Sequence, residues 1–77
     1  MIVASHLELQ QKFAKVVRER RTQAHLSQED LADLAGLHRT YISQIERGLK
    51  SPSLNTLAAI ARALGVKISR LLQGIDD

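Results

Sequence analysis

Six consecutive residues, Arg39-Thr40-Tyr41-Ile42-Ser43-Gln44, bring Arg39, Thr40, Ser43 and Gln44, four side chains able to hydrogen-bond base edges, into less than two helical turns. Arginine can bond guanine N7 and O6 together, glutamine can bond adenine N7 and N6, and a threonine methyl can touch the thymine methyl. That chemistry needs the side chains on one face. If Ile42 and Ile45 face a core, steps of about 100° along a helix put Arg39, Thr40, Ser43, Gln44 and Arg47 on the opposite side. Glu46 falls at the edge of that face, nearer the buried side. The outward face is basic or uncharged, and a merely solvated surface competes with base readout until the surrounding elements are considered.

Other chemistries find little support. His6, His25 and His38 have no metal-ligand spacing and no i, i+4 pairing. Glu29, Asp30 and Asp33 lie on a solvated helix face, and no glycine-rich phosphate loop or nucleophile motif is present. Cysteine is absent, so there is no disulfide and no thiolate site. We therefore expect no catalytic residues, no metal and no cofactor. Phe13 and Tyr41 are the only aromatics, too few for the stacking platforms of single-strand or RNA binders. The net charge is +3, a surplus concentrated before residue 26, where Lys12, Lys15, Arg18, Arg20 and Arg21 face only Glu8 and Glu19. A basic chain suits a phosphate polymer, although charge alone decides little. No apolar run is long enough for a membrane span, and the first residues lack the form of a signal peptide. The expected location is the cytoplasm, whose reducing conditions suit a chain without cysteine.

The elements that would hold the polar face are helical. Ser5 and Glu8 have the spacing of a capping box, and Leu9, Phe13, Val16, Val17 and Ala24 recur at helical spacing, giving a first helix over about 6–24. His25 is expected in the left-handed region that histidine tolerates better than most residues. Ser27 caps a second helix whose first turn holds Gln28, Glu29 and Asp30, whose apolar face is Leu31, Leu34 and Ala35, and whose stop is Gly36. The third helix spans about 39–47 and ends at Gly48; Leu49 to Pro52 form a loop. Ser53 caps the fourth, with Leu54, Leu57, Ala58, Ala61 and Leu64 as its buried stripe and Gly65 as its stop. A fifth runs from Val66 to Gln73, carrying Ile68, Leu71 and Leu72, before a tail of Gly74 to Asp77 that frays. The expectation is an all-α, five-helix bundle forming a single domain over 1–77, with its core over about 9–73.

The second and third helices are short and joined by Gly36-Leu37-His38, with Leu37 plugging the corner. A short glycine-containing turn between two crossing helices is a helix-turn-helix. In that motif the N-terminal residues of the second helix reach base edges in the major groove. The motif tips the balance from a solvated face to DNA readout.

The string LSQEDLADLAGLHRTYISQIERGLKSPSLNTLAAIARALGVKISRLL resembles the phage Cro/repressor helix-turn-helix family, the lambda-repressor-like regulators. The segment Arg39 to Ser43 with Ile45-Glu46-Arg47 is similar in particular to controller proteins of restriction–modification systems. The resemblance implies roles. Gln28 matches a residue that bonds a backbone phosphate. Arg39, Thr40, Ser43 and Gln44 match base-reading positions. Tyr41, Arg47, Lys50 and Ser51 would lie beside phosphates, although Tyr41 could equally pack across the turn. Arg21 and Glu46 match a structural pair joining the first and third helices. His25, Arg20 and Lys67 depart from the family's usual residues, away from the reading face.

One recognition helix touches few base pairs, and each mismatch costs only about 1–3 kcal/mol. A symmetric dimer reads two half-sites about 34 Å apart and discriminates better. A domain of this size also buries only about 60% of its unfolded surface, so a second copy would help its stability. Ile68, Leu72 and Ile75 are the residues expected to meet the partner, while neighbouring apolar residues close the core. The expected activity is double-stranded operator binding that blocks or recruits RNA polymerase. The alternative is a protein-interaction module, coactivator-like or antitoxin-like, on the same fold.

Overall fold

Each break between helices has a local chemical cause. The computed structural model describes residues 6–76, and within them the chain forms α1 (His6–Gln23), α2 (Gln28–Ala35), α3 (Arg39–Glu46), α4 (Leu54–Leu64) and α5 (Ile68–Asp76), with no strand. The proposed cap at Ser5 lies outside the described residues. His25 closes α1 at φ 60°, the left-handed conformation expected of it, and the Leu26 N–H then donates to the Arg21 carbonyl at 3.1 Å. Ser27 and Asp30 form a reciprocal capping box: Ser27 Oγ accepts from the Asp30 N–H at 2.9 Å, and the Asp30 carboxylate accepts from the Ser27 N–H at 3.0 Å. That backbone bond holds the Asp30 carboxyl below its ordinary pKa. Gly36 ends α2 at φ +69°, and Ser53 caps α4 by accepting from the Thr56 N–H at 3.1 Å.

The core cluster is Phe13, Val17, Leu31, Ala32, Ile42, Ile45, Leu57, Ile60, Ala61 and Leu71, drawing on all five helices. α1 packs on α3 and α5, α2 packs on α3 and α4, and α4 packs on α5. The recognition segment α3 is thereby gripped from two sides, by α1 and α2. No helix among the described residues is long and apolar enough to cross a membrane.

Three expectations about packing are corrected. Leu34 is 61% exposed, and Ala32 takes its place in the core. The buried face of α2 is centred between Leu31 and Ala32, so Leu34 stands about 110° from it at 100° per residue. Leu54 is 82% exposed although it shares a stripe with Leu57 and Ala61. It sits on the first turn of α4, one turn before the buried section, which Ile60 completes. Helix α5 starts at Ile68, two residues later than expected, and continues through Gly74 to Asp76 instead of fraying. A Cβ at Gly74 would stand 2.9 Å from Val16 Cγ2. The glycine lets α5 approach α1 closely, and that contact carries the helix past a residue that disfavours helices by about 1 kcal/mol.

Candidate nucleic-acid interface

Geometry at α3 follows from two fully buried isoleucines. Ile42 and Ile45 are 0% exposed and clamp the helix to the core. Arg39, Thr40 and Arg47 are exposed, while Ser43 and Gln44 are half-buried on the flanks. The first turn is anchored by the Tyr41 and Ile42 N–H groups donating to the His38 carbonyl at 3.0 and 3.2 Å. His38 makes no side-chain capping bond, so no side chain closes this end of the helix. Leu37 and Tyr41 are partly buried against the core. Tyr41 is half-buried, so part of its side chain rests on the core and part stays exposed. Lys50 and Ser51 are exposed in the loop that follows α3. The structure thus brings Arg39, Thr40 and Arg47 to one open face.

Glu46 is the only carboxylate on α3 and is 1% exposed. Arg21 grips it with two bonds, Nε to Oε2 at 2.6 Å and Nη2 to Oε1 at 3.0 Å. The third donor of Arg21, Nη1, bonds the Leu26 carbonyl at 2.8 Å. Glu46 holds the Arg21 guanidinium above its ordinary pKa, mainly through the hydrogen bond. Arg18 adds a bond from Nη1 to the Glu46 backbone carbonyl at 2.6 Å, tying α1 to the last turn of α3.

Gln28 has more partners than a phosphate contact alone requires. Its Nε2 donates to Glu46 Oε1 at 3.1 Å, and its Oε1 accepts from Arg39 Nη1 at 3.3 Å. A chain of bonds therefore runs Arg21–Glu46–Gln28–Arg39, from the interior to the open face. Sequence reasoning missed the Gln28 bridge and the Arg18 clamp. Arg18 and Arg21 lie three apart on one face of α1, a spacing that pairs them toward the same neighbour. Nothing in the spacing of Gln28 points to Glu46, because the two meet only through the crossing of α2 and α3. At the far side, Ile68 is 40% exposed, whereas Leu72 and Ile75 are partly buried against the core. Among the described residues no three His, Cys, Asp or Glu side chains converge.

A helix-turn-helix family model, HTH_3, matches residues 17–71. The chain belongs to the helix-turn-helix family. Membership places it among DNA-binding transcription regulators. It is 41% identical over 73 residues to the control protein C.SmaI of Serratia marcescens, covering 92% of this chain and 87% of that one. It is 48% identical over 61 residues to the control protein C.BamHI of Bacillus amyloliquefaciens, covering 78% and 75%. Among solved structures, the restriction–modification controller protein C.AhdI from Aeromonas hydrophila superposes with a TM-score of 0.79 at 42% identity, covering 80% of this chain and 94% of that one. The helix-turn-helix fold and the five-helix architecture read from the sequence both stand.

Proposed function

We propose that this helix-turn-helix protein is a homodimeric regulator that binds a (pseudo)palindromic operator and controls restriction–modification genes. The observation that carries the reading is the state of α3. Its one carboxylate is withdrawn into a buried pair with Arg21, so the exposed face offers Arg39, Thr40 and Arg47 and no negative charge. In this reading Arg39, Thr40, Ser43 and Gln44 face base edges. Gln28, Tyr41, Arg47, Lys50 and Ser51 flank the phosphates. Gln28 has one Nε2 proton left for a phosphate after serving Glu46, because a side-chain amide carries two. The dimer forms through Ile68 with Leu72 and Ile75, placing the two α3 helices about 34 Å apart in successive major grooves. Bound there in the cytoplasm, it blocks or recruits RNA polymerase. The likeness to control proteins supports the choice of target genes.

A gel-shift series tests this. Arg39→Ala should lose about 1–3 kcal/mol of operator binding and relax selectivity at one base pair per half-site. Lys50→Ala should weaken all sequences alike and make the salt slope shallower by about one. Equal operator affinity in Arg39→Ala would remove it from base readout. Absence of any sequence-selective retardation by the wild type would favour the protein-interaction alternative.

A further inference from the structure

Gln28 is the link between a buried charge and an exposed one. Its amide has one end that only donates and one that only accepts, so its orientation carries information. Glu46, gripped by Arg21, accepts and cannot donate, which demands the Nε2 end of Gln28. Arg39 carries five donors and no acceptor, which demands the Oε1 end. Both neighbours select the same orientation, with the carbonyl oxygen turned toward the first residue of α3. Flipping the amide would set Nε2 against the guanidinium and Oε1 against the carboxylate, losing both bonds.

We infer that Glu46 determines base choice without touching DNA: it fixes the Gln28 amide, whose carbonyl oxygen holds the Arg39 guanidinium in the pose that reads guanine. Glu46 and Gln28 are positioning residues for Arg39. One Arg39 nitrogen is occupied by Gln28, and the remaining N–H groups are left for guanine O6 and N7. An arginine so held loses less side-chain freedom on binding than a free one, and that gain is realised only where a guanine meets the held pose. The inference rests on the base-reading role given to Arg39 above.

The test compares wild type, Arg39→Ala, Gln28→Met and Glu46→Gln against an operator library randomised across one half-site. Arg39→Ala should abolish the guanine preference at one base pair. Gln28→Met keeps the side chain's length on a half-buried site and removes the amide. It should lower the preference at that same pair about fivefold, the lower end of one bidentate contact, and leave the other pairs unchanged. Glu46→Gln, which keeps the shape but frees the Gln28 amide to turn, should do likewise. Should Glu46→Gln fail to fold, the wild-type nuclear Overhauser spectrum takes its place: the Gln28 Nε2 protons should show contacts to the Glu46 Hγ protons. Retained preference in Gln28→Met, or an equal loss of preference at every pair rather than of overall affinity, overturns the inference while leaving Arg39 as a base reader. Retained preference in folded Glu46→Gln, or missing Gln28–Glu46 contacts, removes Glu46 from the chain. An Arg39→Ala protein with unchanged preferences everywhere overturns the base-reading assignment and the inference with it.

Discussion

At the scale of single residues, the decisive group is the one that is hidden. An ionised carboxylate taken out of water is stable only when paired and hydrogen-bonded, and Glu46 meets that condition through Arg21 and Gln28. Replacing one partner leaves the other uncompensated. Glu46→Ala should cost about 3–5 kcal/mol, enough to lower the melting temperature by about 12 °C or more in a domain of this length, measurable by thermal circular dichroism. A shift of only a few degrees would mean that water replaces the carboxylate and that the pair contributes little. The pairing of Arg21 with Glu46 was expected from the family resemblance. The part played by Gln28 was not, since a sequence shows its place at a helix start but not which side chain crosses to meet it.

Among the elements, the α2–α3 corner sets where the polar face points. Gly36 stands at φ +69° with nothing within 4 Å of a would-be Cβ, so a substitution there meets backbone strain and no steric obstacle. Gly36→Ala should therefore destabilise by about 1–2 kcal/mol. Gly36→Asn, whose side chain tolerates the left-handed region, should cost less. Urea denaturation of both variants checks the ranking, and an equal loss in the two would mean that the corner is limited by something other than φ. The caps Ser27 and Ser53, the stop at Gly36 and the left-handed His25 were legible, because each is settled within four or five residues of chain. Leu34 and Leu54 were misread for the opposite reason. An apolar spacing marks a helix face, but the angle at which neighbours cross decides which part of that face is covered.

For the molecule as a whole, α5 carries the apolar surface proposed to meet a second copy. Leu72 and Ile75 already pack on their own core, leaving Ile68 as the exposed apolar residue of that helix. If the dimer forms there, Ile68→Glu should yield a folded monomer by sedimentation equilibrium. Operator affinity should then drop about 100-fold or more, as the second half-site loses its tethered reader. A dimer that survives the change would move the interface away from α5. Helix α5 also shows how tertiary contact overrules local preference. Gly74 reads as a helix end, yet its missing side chain is what lets α5 close against Val16.

The sequence alone determined the all-α class, the helix-turn-helix, nearly all helix limits and the polar face on α3. Those features depend on caps, stops and a periodicity that act over a few residues. Tertiary structure alone decided the depth at which Glu46 is buried, the bridge from Glu46 through Gln28 to Arg39, the exposure of Leu34 and Leu54, and the persistence of α5. Each of these depends on how closely and at what angle helices distant in sequence meet, and that is set by side-chain packing across the whole core.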